Sequence, residues 1–351
     1  MSYSPDSRPT LALTVGDVTG IGPKLVIASL SDPLTYSSCR PVVIGPIELL
    51  ESRSESIGVF LKFRQVAGPE ETAYEFGTVD VLEPAGCEEA VPLPVGEVDP
   101  EAGRIVAFCL EKAFELALQD KVQGVVGAPL NKQAFRLGGC NYLDEIAFFA
   151  ALTHSEEPRL FGILDRLWTT CVTLHVSFKD IAGLITRERV LVAIRVMHDA
   201  LQRVRAEEPS IAVAALNPHD GEGGVLGSEE IDEVAPAAKD ACALGIRVHG
   251  PFAGDTLFPR AFAENVQGVI CMHHDQANVA RKLHGFKDSA SAFLGLPVPY
   301  ATTAHCTAFD LVGHGAADSS SYIAALTFVI GQCAPTAGAA AGGTADRREA
   351  A

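Results

Sequence analysis

Basic charge is scarce in this chain. Lys and Arg total 27 against 44 Asp and Glu, for a formal net charge of −17 at pH 7. With no basic patch, nucleic acid is excluded as a partner. No apolar run reaches membrane-spanning length, which excludes a helical membrane span. The first ten residues, Met1 to Thr10, lack the charged-then-apolar pattern of a signal peptide. Paired cysteines are lacking too: nine are scattered with no C-x-x-C spacing. Cys109, Cys171, Cys242 and Cys271 sit in apolar stretches and read as buried thiols, which suits a reducing cytoplasm. There is no internal repeat, no G-x-G-x-x-G and no Walker lysine-serine pair.

What is present is a large apolar fraction, 48% of 351 residues, with 20% charged. That length suggests two domains rather than one small core. Strand and helix patterns alternate. Thr10 to Val15 reads as a strand, and a helix follows from about Pro23 to Leu30, with proline suited to its first turn. Pro41 to Ile44 reads as the next strand. Glu101 to Leu118 reads as an amphipathic helix with Ile105, Cys109, Ala113 and Leu116 on one face. Val122 to Val126 is again a strand. This order predicts an α/β fold with mostly parallel sheets. Residues 334 to 351, rich in Ala and Gly, read as a disordered tail.

Three histidine segments stand at the ends of apolar, β-branched runs. They are Thr173-Leu174-His175, Asn217-Pro218-His219-Asp220-Gly221-Glu222-Gly223-Gly224 and Met272-His273-His274-Asp275-Gln276. Strand ends of a parallel sheet converge on one edge, where ligands bind. Three imidazoles there would suit one divalent ion able to polarise a substrate oxygen. Ordinary polar loop residues are the alternative. The acidic, glycine-bearing company of His219 and the Asp275-Gln276 pair beside His274 favour a site. The Gly16 to Gly22 turn follows a strand and opens a helix, which suits an anion at a helix N-terminus or simply a tight turn.

Several longer segments carry a resemblance. They are Leu11 to Pro23, Ala128-Pro129-Leu130-Asn131-Lys132, Leu216 to Gly224, Gly254-Asp255-Thr256-Leu257-Phe258, His273-His274-Asp275-Gln276 and Ala304 to Asp318. In this order the chain resembles the 4-hydroxythreonine-4-phosphate dehydrogenases of vitamin B6 synthesis and their relatives. The resemblance implies a two-domain α/β/α fold like that of isocitrate and isopropylmalate dehydrogenases. Its outer domain would be residues 1–135 with 290–333, and its central domain 136–289. It also implies a homodimer with active sites between subunits, NAD or NADP, and one divalent ion such as Zn, Mg or Co.

Residue by residue, the resemblance makes His175, His219 and His274 the metal ligands. Lys282 becomes the substrate contact and charge stabiliser, with Asp255, reaching from the partner, and Asp275 as catalytic supports. Cofactor contacts would be Gly16, Asp17, Gly20, Gly22, Gly223, Gly224, His305, Thr307, Ala308 and Asp310. Cys306 stands where the family has glycine. The family oxidises a secondary alcohol by hydride transfer, with loss of carboxylate where the product is a β-keto acid.

Four substrate positions depart from the family. Its His-Thr pair aligns with Glu145 and Ile146, and its Asn and Arg with Ser291 and Tyr300. Fewer donors and an added carboxylate oppose a phosphate dianion. The expectation is therefore a dehydrogenase for an unphosphorylated hydroxy or cis-dihydrodiol acid, with decarboxylation, as in the family's terephthalate dihydrodiol branch. One alternative is 4-hydroxythreonine-4-phosphate or a sugar-acid 4-phosphate, with Arg136 or Lys287 taking over the phosphate. Two others are a catalytically silent NAD- and metal-binding protein and a hydrolase using the metal alone.

Overall fold

Buried aliphatic runs become strands, and the polar turns between them start helices. The computed structural model describes residues 7–87, 93–142, 144–156, 158–164, 167–204, 208–285, 287–312 and 318–333. The expected tail at 334–351, and 313–317 of the last matching segment, lie outside these.

The strands are β1 (Thr10–Thr14), β2 (Arg40–Ile44), β3 (Lys62–Gln65), β4 (Thr78–Leu82), β5 (Gly124–Gly127) and β6 (Arg159–Leu164). They continue with β7 (Leu167–Cys171), β8 (Ile211–Ala214), β9 (Val248–Phe252), β10 (Gly268–Cys271), β11 (Ser289–Leu294) and β12 (Tyr300–Thr303). All join one twelve-stranded sheet in the order β3-β4-β2-β1-β5-β12-β11-β6-β7-β10-β8-β9. From β3 to β12 every pairing is parallel. From β7 to β9 they are parallel again. Between these blocks β12, β11, β6 and β7 pair antiparallel. The fold is thus the mostly parallel α/β arrangement expected, with an antiparallel seam that the sequence did not announce.

Local chemistry sets the helix starts. Asp99 caps the Pro100–Leu118 helix by accepting from the Glu101 and Ala102 amides at 2.7 and 3.2 Å. Its buried face includes Ile105, Cys109, Ala113 and Leu116, as the spacing predicts. Burying each large aliphatic side chain contributes about 1.5–3 kcal/mol. Pro23 lies in the first turn of the nearly wholly buried Gly22–Leu30 helix. One core cluster runs through both blocks, and a smaller one around Leu257, Phe258 and Val269 covers the β7-β10-β8 strands.

Of the thiols expected to be buried, Cys109, Cys171 and Cys271 are, but Cys242 is exposed. Its helix, Ala235–Ala243, buries Ala237, Ala238 and Ala241, and the next position turns outward. Among the described residues, no helix is long and apolar enough to cross a membrane.

Candidate active site

The cavity lies on the antiparallel seam. Cross-strand register places Thr302 beside Ser291, Ser291 beside Gly162, and Gly162 beside Thr169. Directly paired residues share a face. These four residues, three with small hydroxyl side chains and one glycine, therefore make one row across β12, β11, β6 and β7, and all four line a cavity of about 220 Å³. The His274–Gly285 helix and the loops after β5, β7 and β12 form its walls.

Two of the three expected metal ligands meet at this cavity. His175 and His274 both line it, with ring centroids 6.0 Å apart. Asp144 lies 3.1 Å from His175 Nδ1, and Asp275 lies 2.7 Å from His274 Nδ1. A carboxylate at Nδ1 favours the proton there and leaves Nε2 as a lone-pair donor, the arrangement typical of metal-binding imidazoles. Asp144 also caps the Glu145–Thr153 helix through its other oxygen, accepting from Ala147 N at 2.9 Å. The helix start thereby fixes the histidine partner. Gln276 ties the ends of β10 and β8 together, accepting from Met272 N and donating to the Ala215 carbonyl.

His219 is not part of this pair. It sits after β8 in a turn where residues 219 to 223 all have positive φ, between 45° and 73°. Among the described residues no group of three His, Cys, Asp or Glu gathers as a metal site. The turn is anchored by Glu230, only 3% exposed, which accepts from the Leu216 and Asn217 amides and from Asn217 Nδ2 at 2.7–2.9 Å. Burial alone would raise its carboxyl, but these hydrogen bonds outweigh that and hold it below the usual range. Asp220 has no such donors among the described residues, and burial raises it.

The expected substrate positions divide. Glu145, Ile146, Lys282 and Ser291 line the cavity. Burial raises the Glu145 carboxyl, opposed by Lys132 Nζ at 3.7 Å. Tyr300 does not line it. Its ring is 1% exposed and packs with Phe114, Phe149 and Phe293, because the neighbouring Gly127 leaves room for its hydroxyl. Asp255 opens the Gly254–Ala263 helix, and neither it nor Asp275 is part of the wall. Arg136 faces an adjoining cavity, and Lys287 pairs with Asp318 at 3.1 Å. Neither lines the main cavity.

The expected cofactor residues also fall into two places. Gly16, Asp17, Gly20 and Gly22 form a buried turn joined to the loop after β12 by Ile21 N donating to the Thr307 carbonyl at 3.1 Å. A Cβ on Gly20 would meet Thr307 at 3.0 Å, and one on Gly22 would meet the Val15 carbonyl at 2.4 Å. These glycines serve internal packing. Asp17, fully buried, accepts from Thr19, while its second oxygen has no partner among the described residues and burial raises its carboxyl. His305 lines the cavity, and Ala308 lies beyond it in a left-handed conformation at φ 44°. Asp310 follows in a short 3-10 turn, Phe309–Leu311. Gly223 and Gly224 lie elsewhere, in the His219 turn.

Sequence reasoning missed Asn278 and Arg281, both in the wall. Arg281 is 4% exposed and lies on the buried face of its helix, four residues from Ala277. A charged residue at that spacing was the available signal.

The chain is similar to known proteins along most of its length. The family model described as pyridoxal phosphate biosynthetic protein PdxA matches residues 37–329. A 4-hydroxythreonine-4-phosphate dehydrogenase of Desulforapulum autotrophicum is 34% identical, covering 92% of this chain and 94% of its own. A relative from Symbiobacterium thermophilum, named for D-threonate 4-phosphate dehydrogenase activity, is 35% identical over 90% and 94%. A solved 4-hydroxythreonine-4-phosphate dehydrogenase of Klebsiella pneumoniae superposes with TM-score 0.83 at 32% identity, covering 95% and 100%. A terephthalate 1,2-cis-dihydrodiol dehydrogenase of Burkholderia xenovorans is more distant, at TM-score 0.65 and 25% identity over 92% and 98%. Matched along most of its length, the chain belongs to the PdxA family and is an oxidoreductase, a dehydrogenase acting on a CH–OH donor.

Proposed function

We propose that the protein oxidises the secondary alcohol of a small phosphorylated hydroxy acid, using NAD or NADP and one divalent ion, as a homodimer. The observation that carries this is the His175–His274 pair, each ring held through Nδ1 by a carboxylate, on a cavity that also holds Lys282. The donor set fits a divalent ion: both imidazoles have Nε2 available, and His219 is the third ligand the resemblance assigns. A bound ion would polarise the substrate hydroxyl, and the nicotinamide cofactor would take up the hydride.

The chain's own residues do the rest. Lys282 places a positive charge in the wall and opposes the negative charge that develops on the alcohol oxygen. Asp144 and Asp275 fix the orientation of the two imidazoles. The Thr302-Ser291-Gly162-Thr169 row forms a small, polar floor for a short hydroxylated substrate. His305, Thr307, Ala308 and Asp310 would meet the cofactor beside that floor, with the buried Gly16 to Gly22 turn supporting them from behind.

Pairing of two copies explains why His219 stands apart. The segments that carry the three histidines also carry exposed apolar side chains: Phe178 at 67%, Val225 at 79% and Leu283 at 84%. Exposed apolar side chains of this kind suit burial against a second copy, which would let one subunit supply His219, with Asp255, to the pair of the other. Sedimentation checks this, and a fully active monomer would refute it.

The curated relatives favour a phosphorylated substrate over the unphosphorylated one expected from Glu145, Ile146, Ser291 and Tyr300. Those at 34% and 35% identity are both named for phosphorylated substrates, whereas the dihydrodiol enzyme stands at 25%. None of these names adds a decarboxylation, so the proposal stops at oxidation. Cofactor reduction with D-threonate 4-phosphate, 4-hydroxythreonine-4-phosphate and terephthalate dihydrodiol tests it. Faster turnover of the dihydrodiol would overturn the substrate class.

A further inference from the structure

Arg281 is a buried cation without a counter-ion among the described residues. It is 4% exposed and lies in the cavity wall. Its side chain lies flat across β6 because residue 162 is glycine: a Cβ there would stand 2.5 Å from Arg281 Nε. A guanidinium has five N–H donors. Asn278 Oδ1 accepts one at 2.7 Å, and the Ala290 carbonyl stands 3.5 Å from another nitrogen. Nε has no partner. Among the described residues no carboxylate lies within ion-pair distance of it. The nearby Cys171 thiol does not supply the charge, since burial pushes it up to about 12.

Buried charges are normally paired, because an isolated one loses its hydration with nothing in return. Among the described residues, the open space that Arg281 lines is this cavity. The same wall holds Lys282, next in sequence, and the hydroxyls of Ser291 and Thr302. Asn278 links the guanidinium to the metal side of the cavity, because its Nδ2 donates to the His274 carbonyl at 3.1 Å.

We propose that Arg281 binds an oxyanion group of the substrate, replacing the donors lost at Ser291 and Tyr300. The identity of that oxyanion as phosphate rests on the phosphorylated-substrate reading above. The assignment of Arg281 does not. A planar guanidinium beside an ammonium suits three phosphate oxygens better than one point charge does.

The test is thermal unfolding of the metal-loaded protein with and without inorganic phosphate, and with malate, in the wild type, R281M and R281K. Phosphate is expected to raise the wild-type Tm and leave that of R281M unchanged. Without any anion, R281M is expected to melt at or above the wild type, because an unpaired buried charge has been replaced by an apolar side chain of similar length. R281K, which keeps the charge but loses the fork, should bind phosphate about tenfold or more weakly, a loss that also decides the matter if R281M does not fold. A phosphate shift of equal size in all three proteins would overturn the proposal, as would no shift of the wild type by either anion. If malate stabilises the wild type but not R281M and phosphate stabilises neither, Arg281 keeps its role and the phosphorylated-substrate reading falls.

Discussion

The turn from Gly16 to Gly22 and the turn from Pro218 to Gly224 both follow a strand and each carries three glycines, yet their backbones meet different surroundings. In the first, every residue is buried, and the glycines exist because neighbouring backbone lies where side chains would be. In the second, most residues are exposed, and His219, Asp220 and Glu222 adopt a left-handed backbone that only glycine takes readily. At about 1–2 kcal/mol per residue, that conformation is held against its own preference. Packing explains the first turn. The second needs the Glu230 anchor, and what it presents is an imidazole at the surface. Strain that packing does not require marks a residue placed for something outside the fold.

Gly16→Ala should show the largest effect. Its Cβ would meet the Pro129 carbonyl at 2.5 Å, at a φ of +66°. Overpacking and backbone strain together should cost about 2–5 kcal/mol, read as a lower denaturant midpoint. A stability near wild type would break the contrast. Next, Glu230→Ala leaves buried donors on Leu216 and Asn217 without an acceptor, at about 1–3 kcal/mol each. It should also weaken metal binding by about 10–100-fold in calorimetry, as loss of a supporting residue does elsewhere. Stability falling with metal affinity intact would detach the His219 turn from the metal.

Gly223→Ala should cost only about 1–2 kcal/mol, because a Cβ there meets nothing within 4 Å and the backbone alone is strained. A loss as large as that of Gly16→Ala would erase the difference between the turns. The smallest effect concerns two carboxylates shifted in opposite directions. Glu230 lies below its ordinary value, so its contribution is present above pH 4.5 and is lost as pH falls through the lowered folded value. Glu145 lies above it, so its contribution is full below pH 4.5 and is lost as pH rises through the raised folded value. Glu145→Gln should thus raise Tm by a few degrees at pH 7 and lose that gain near pH 4, whereas Glu230→Gln should lower Tm at pH 7. Melting curves across that range check both signs.

The legible parts of this chain were local ones. β1, β8 and β10 read directly from apolar runs, and the residues after β7, β8 and β10 carried the histidines expected there. The cavity was not legible, since its floor joins Gly162 to Ser291 across more than a hundred residues, and neither strand alternates clearly enough to reveal its partner. Tyr300 illustrates the same limit. Its position beside substrate residues in an aligned motif predicted a contact, but the space left by Gly127 draws the ring into the core. Arg281 was hidden because a single charged residue on an otherwise mixed helix reads as surface until the strand beneath it is known.

As the proposed substrate floor, the row of small residues would work as a ruler. Four strands set side by side span about 14 Å, at about 4.8 Å per spacing, and hydrogen-bonded ladders keep those spacings constant. Descendants of this enzyme could therefore change the length of substrate they accept without rebuilding the fold. Enlarging Ser291 would shorten the track, and shrinking Thr302 would lengthen it. Such stepwise adjustment on a rigid scale is a route by which one dehydrogenase family can spread over acids of different size while its sheet stays the same.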